Sequence, residues 1–79
     1  MSPTVFIYKN YRFLFFSREE TRPHVHITSS EGQAKFWLSP GVELAKSFGY
    51  NDKQLNELKS VVVERQNEIL DKWKDHFER

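Results

Sequence analysis

Pro23-His24-Val25-His26-Ile27-Thr28-Ser29-Ser30-Glu31-Gly32-Gln33-Ala34-Lys35-Phe36-Trp37-Leu38 is the stretch on which the fold turns. Two β-forming runs flank the turn residues Ser29-Ser30-Glu31-Gly32, so the stretch reads as a hairpin with strands at Val25–Thr28 and Ala34–Leu38. Side chains alternate across a strand. Val25 and Ile27 therefore share a face with Ala34, Phe36 and Leu38, and these form the expected core side. With Glu31-Gly32 as a two-residue turn, Ile27 faces Phe36 and Val25 faces Leu38. The reverse side carries His24, His26 and Thr28 beside Lys35 and Trp37, with His26 roughly opposite Trp37.

Upstream, Thr4–Lys9 and Tyr11–Ser17 are β-branched and aromatic runs around Asn10, which predicts a first hairpin. It is apolar on both faces: Phe6, Tyr8, Phe13 and Phe15 cannot all share one side with Val5, Ile7, Leu14 and Phe16. Such a hairpin is either covered twice or leaves an aromatic surface that monomers rarely leave bare. Tyr8 and Phe13 are therefore candidate contacts for a cognate small protein or a second copy of the chain. The charged run Arg18-Glu19-Glu20-Thr21-Arg22-Pro23 joins the two hairpins.

Downstream, Ser39 is placed to cap a helix with Pro40 at its first position and Gly49 at its end. Val42, Ala45 and Phe48, with Leu44 adjacent, give that short helix one apolar stripe. Asn51 starts a longer helix with Gln54 as its capping-box partner. Leu55, Leu58, Val62, Ile69, Trp73 and Phe77 recur at helical spacing, interrupted at Arg65-Gln66, and Trp73 is expected in the core. The expected fold is α+β, a single domain over 1–79. Residues 1–39 form a four-stranded, mostly antiparallel sheet of two hairpins; residues 40–79 form a short and a long helix packed on one face.

Composition narrows the function classes. A chain of 79 residues without cysteine has neither a disulfide framework nor a thiolate zinc site to staple it. Seven Phe, three Tyr and two Trp must supply the core instead. Neither a signal-peptide pattern nor a run of membrane-spanning length occurs, and the expectation is a soluble cytoplasmic protein with no membrane partner. Net charge is +1, split as +2 over residues 1–40 and −1 over 41–79. That imbalance is too small to diagnose nucleic-acid binding by itself.

His24 and His26, about 7 Å apart on one strand face, mark the candidate site. Imidazoles so placed can bind a metal, move protons or grip an anion. The plain alternative is that they only supply polar groups to a solvated sheet face. As a metal-free nuclease, His24, His26 and Lys35 would be base, acid and phosphate cation, with Arg22 or Arg12 as second cation. As a metal site, the histidines give two of the four ligands zinc needs. Nickel or zinc would require a third from Glu31, the Glu19-Glu20 loop or His76; no other cofactor is expected. Lys35 read alone is an edge charge that discourages sheet aggregation, and Trp37 read alone is packing. Paired catalytic carboxylates, glycine-rich phosphate loops and nucleophile motifs are absent from the sequence.

Taken together, Pro3-Thr4-Val5-Phe6, Tyr11-Arg12-Phe13, Pro23-His24-Val25-His26, Ala34-Lys35-Phe36-Trp37-Leu38, Leu44-Ala45, Phe48-Gly49 and Trp73 resemble a family of small bacterial proteins, domain of unknown function 4160. The resemblance spans nearly the whole chain. It implies membership of a short two-gene unit and hence a toxin–antitoxin-type pair, with a cognate small protein as partner and RNA as a target if this is the toxin. It carries no assigned catalytic residues. Gly41, where the family pattern has a non-glycine residue, is the one departure, and it is expected to loosen the start of the short helix.

Overall fold

The computed structural model describes residues 4–16 and 22–77. Within them the chain forms β1 (Thr4–Tyr8), β2 (Tyr11–Leu14), β3 (His24–Ser29), β4 (Gly32–Trp37), β5 (Glu43–Phe48), α1 (Asp52–Glu64) and α2 (Gln66–Phe77). The five strands pair with their sequence neighbours in the order β1-β2-β3-β4-β5, every pair antiparallel. The α+β class expected from the sequence holds, with five strands rather than four.

The extra strand is the segment read as the short helix. Ser39 and Pro40 do not open a helix: the Ser39 carbonyl accepts a bond from Arg22 Nε at 2.8 Å, and Glu43–Phe48 runs as a strand beside β4. A lone helix of two turns is marginal in water. As a strand, the same residues pair the backbone groups that β4 would otherwise leave on an open edge. The sheet therefore continues to Phe48 instead of ending at residue 39, and Gly41 lies in the loop before β5.

Two glycines set the register. A Cβ on Gly32 would fall 2.1 Å from the Phe48 carbonyl oxygen, and one on Gly49 would fall 2.3 Å from the Glu31 carbonyl oxygen. Gly49 also holds φ +86°, a left-handed conformation that glycine adopts without a steric penalty. Gly32 is thus needed inside β4, opposite Ser29, and the turn falls on Ser30-Glu31. This shifts the expected pairing by two residues: Val25 faces Phe36, Ile27 faces Ala34, His26 faces Lys35 and His24 faces Trp37. A shift of two preserves the faces. Val25, Ile27, Ala34, Phe36 and Leu38 are all buried, as their parity demands.

Tyr50 locks this corner. Its hydroxyl donates to the Gly32 carbonyl at 2.9 Å, so the 2.8 Å contact with Ser29 Oγ is one in which serine donates. Burial, above all, pushes the pKa of its hydroxyl up. Asn51 then caps α1 as expected: its side chain accepts from Gln54 N at 2.8 Å and its own N–H donates to Gln54 Oε1 at 3.0 Å.

The expected long helix is two helices, of 13 and 12 residues, that break at Arg65. The Arg65 guanidinium lies 3.6 Å from the Phe6 ring centroid and donates twice to Glu68, each bond 2.9 Å. Those bonds hold the Glu68 carboxyl below its ordinary range. Gln66 Nε2 donates to the Leu38 carbonyl at 2.8 Å, tying the break to the sheet. Leu58 and Val62 of α1 and Ile69 and Trp73 of α2 close one core with Phe13, Phe15, Val25, Ile27, Phe36 and Leu38.

The first hairpin is covered from this side. Phe13 is 0% exposed and stacks on Phe6 with centroids 4.5 Å apart. The Tyr8 hydroxyl donates to Glu57 Oε2 at 2.6 Å. Both residues proposed from sequence as an aromatic docking surface therefore face the helices, and the helices are what cover them.

Candidate functional site

On the opposite face, which Trp73 of α2 meets at His24, strand register arranges the side chains in cross-strand rows. One row is Arg12, Thr28, Gln33 and Phe48; the next is Leu14, His26, Lys35 and Lys46; the third is His24, Trp37 and Glu43. Arg22, just before β3, joins the third row through a 3.2 Å ion pair with Glu43. Arg12, Arg22, Lys35 and Lys46 thus share a face with one carboxylate, Glu43, among the residues just named. Lys35, 8% exposed, lies under this face with its ammonium 4.5 Å from the Trp37 ring, and the Arg22 guanidinium lies 4.4 Å from the same ring. Trp37 so holds two cations by its π-faces, beyond the packing role it has on its own.

A cavity of about 240 Å³ opens between β4 and β5, lined by His26, Gln33, Lys35, Lys46, Phe48 and neighbouring backbone. Lys35 and Lys46 stand directly opposite each other across the strands. Phe48 is 78% exposed at the rim.

The two histidines have different surroundings. His24 is 2% exposed, packed against Trp73 at 4.9 Å, His26 at 5.1 Å and Trp37 at 5.7 Å between ring centroids. Its Nδ1 lies 2.8 Å from the Arg22 carbonyl oxygen, which can only accept, so Nδ1 carries the proton. A ring enclosed and anchored in this way positions its neighbours and presents no open edge to a substrate. His26 is half-buried under the Phe16 ring at 4.2 Å and lines the cavity.

The residues proposed from sequence divide accordingly. His26, Lys35, Trp37, Arg12 and Arg22 share the open face, and His24 sits beneath it. Tyr8 and Phe13 are on the other side. Among the described residues no three His, Asp or Glu side chains cluster to hold a metal. Glu31, in the hairpin turn, accepts from Gln54 at 3.0 Å, and His76 lies against Phe15 and Phe77. Glu19 and Glu20, with the rest of the 17–21 segment, lie outside the described residues. Lys46, Gln33 and Phe48 were not singled out from the sequence. The available signal was the two-residue spacing of Lys46 and Phe48, which places them on one face once the segment is a strand.

These features define a class: a small antiparallel sheet, backed by two helices on one side and presenting a cationic, aromatic-rimmed face on the other. The chain belongs to the domain of unknown function family DUF4160, which matches residues 10–74. Neither a curated protein nor a solved structure matches it. No helix among the described residues is long and apolar enough to cross a membrane.

Proposed function

We propose that this protein is the binding component of a two-protein, toxin–antitoxin-like unit, and that its open sheet face is the working surface, which the cognate small protein covers with acidic groups. The observation that carries this reading is that Arg12, Arg22 and Lys46 gather on the face of the sheet opposite Val25, Ile27 and Phe36, with Glu43 the carboxylate among their cross-strand neighbours. Charge complementarity across such a face steers encounter and excludes wrong partners. The contact surface is the cationic face, since the aromatic hairpin first proposed for it is packed under the helices.

Binding is favoured over histidine-based RNA cleavage by the enclosure of His24. An acid–base pair needs both imidazoles within reach of the reacting atoms. His24 instead spends its Nδ1 proton on Arg22.

Co-expression with the product of the neighbouring gene tests the proposal. The wild type is expected to co-elute with it as a stable complex. The Arg12→Glu/Lys46→Glu variant, changed only at exposed positions, is expected to fold and to lose the complex. Recovery of the two wild-type proteins separately, with no shift on mixing, removes the proposal.

A further inference from the structure

We infer that the row Ile7, Arg12, Thr28, Gln33 and Phe48 is a self-complementary interface for a second copy of this chain, packed sheet to sheet about a two-fold axis through Thr28; the inference rests on the open face being the working surface. The row crosses all five strands, since Ile7 pairs with Arg12, Arg12 with Thr28, Thr28 with Gln33 and Gln33 with Phe48. Directly opposed residues of antiparallel strands share a face. Ile7, 66% exposed, and Phe48, 78% exposed, therefore stand at the two ends of one face, each two strands away from Thr28. Large apolar side chains left this far out of the core mark a surface that another molecule covers.

The order of the row selects the occupant. An isologous contact sets a patch against itself, and an axis lying along β3 reverses the order of the row between the two copies. Ile7 of one copy then meets Phe48 of the other, Arg12 meets Gln33, and Thr28 meets its own equivalent. Both ends become apolar contacts. Arg12 engages Thr4 Oγ1 through Nε at 2.9 Å, and its terminal N–H groups are the donors for the Gln33 carbonyl oxygen. In the next row Thr4 and Lys46 are the end residues, so the same axis sets Lys46 over the threonine hydroxyl and not over a second cation. The charges thus permit a second copy, whereas an acidic segment would satisfy Arg12 and Lys46 and leave Ile7 and Phe48 in water. Sheets packed in this way lie about 10 Å apart and cross at about 30°, a gap that side chains of this size fill from both sides. One face cannot hold two occupants, so the cognate protein displaces the second copy.

Sedimentation equilibrium of the free chain over about a hundredfold range of concentration reads the association, and a monomer–dimer equilibrium is expected. Phe48→Ala should weaken the dimer about tenfold. Gln33→Arg sets guanidinium against guanidinium and should weaken it by about tenfold or more. Adding Arg12→Glu turns that clash into two ion pairs across the interface and should restore the dimer. With the rows in the same order in both copies, the two changes together would set like charge on like charge, and the dimer would stay weak. All three positions are exposed, and matched circular dichroism spectra establish that the variants fold. The chain has no cysteine, so Thr28→Cys places its only thiol on the axis. A bismaleimide spanning about 10 Å should join two such copies, and should leave Ser60→Cys, on the exposed side of α1, unjoined.

A chain that stays monomeric, a dimer unchanged by Phe48→Ala and Gln33→Arg, failure of Arg12→Glu to restore it, or cross-linking at Ser60→Cys as efficient as at Thr28→Cys each overturns the inference. A monomer that still forms the cognate complex removes this inference alone. A dimer that forms no cognate complex removes the two-protein reading alone.

Discussion

Replacing His24 by alanine separates a positioning histidine from a reactive one. The ring is fully buried among Trp73, Trp37 and His26, and its Nδ1–H is bonded to the Arg22 carbonyl. Removing a large buried side chain from such a site costs roughly 2 kcal/mol in lost packing, taken at the low end for core truncations because the imidazole is polar. Leaving the Arg22 carbonyl without its donor adds about 1 kcal/mol. For a domain of this size each kcal/mol lowers Tm by about 4–8 °C, so the 3 kcal/mol total corresponds to roughly 12–24 °C. His24→Asn places an amide N–H near the former Nδ1 position and should recover about 1 kcal/mol of the loss. His26→Ala, at a half-buried position, should shift Tm by less. Thermal unfolding by circular dichroism measures all three, with partner binding assayed well below the lowest Tm. A Tm for His24→Ala within about 3 °C of wild type, with function abolished, would refute the assignment and restore His24 as a reactive group.

Two further perturbations probe the frame that holds the site. Glu57 accepts from Lys9 Nζ and Tyr8 Oη, both at 2.6 Å, and these bonds, that from Lys9 first, hold its carboxyl below the ordinary range while pushing the pKa of both Lys9 and Tyr8 up. A carboxyl depressed in the folded state contributes stability at neutral pH and loses it as pH falls through the carboxylate range. Urea midpoints should therefore fall from neutral pH toward acid, and less steeply in Glu57→Gln; identical slopes would exclude Glu57 as a source of that dependence. Gly49→Ala combines a left-handed φ with a Cβ 2.3 Å from the Glu31 carbonyl oxygen, and should cost about 2–4 kcal/mol from backbone strain and overpacking. A melting temperature equal to wild type would contradict the close Gly32–Gly49 approach that seats β5.

Particular residues show why some of this was legible in the chain. The parity of Val25, Ile27, Ala34, Phe36 and Leu38 determines which face is core, because alternation is a property of the extended backbone. Asn51 and Gln54 announce the start of α1, since a capping box is closed within four residues. The segment from Pro40 to Gly49 carries local helix signals of equal clarity, yet it forms β5. Its conformation is decided by the backbone groups of β4 that needed partners, and no local pattern contains that information.

The site follows the same division. That His24, His26, Lys35 and Trp37 share the face of the hairpin opposite Val25, Ile27 and Phe36 was determined by sequence alone, through strand alternation. That Lys46 and Phe48 complete that face, that His24 is enclosed by Trp73, and that Tyr8 and Phe13 turn under the helices was decided only in the tertiary structure. Each of these depends on which element packs against which, a pairing between residues distant in the chain that is set by buried surface and satisfied hydrogen bonds.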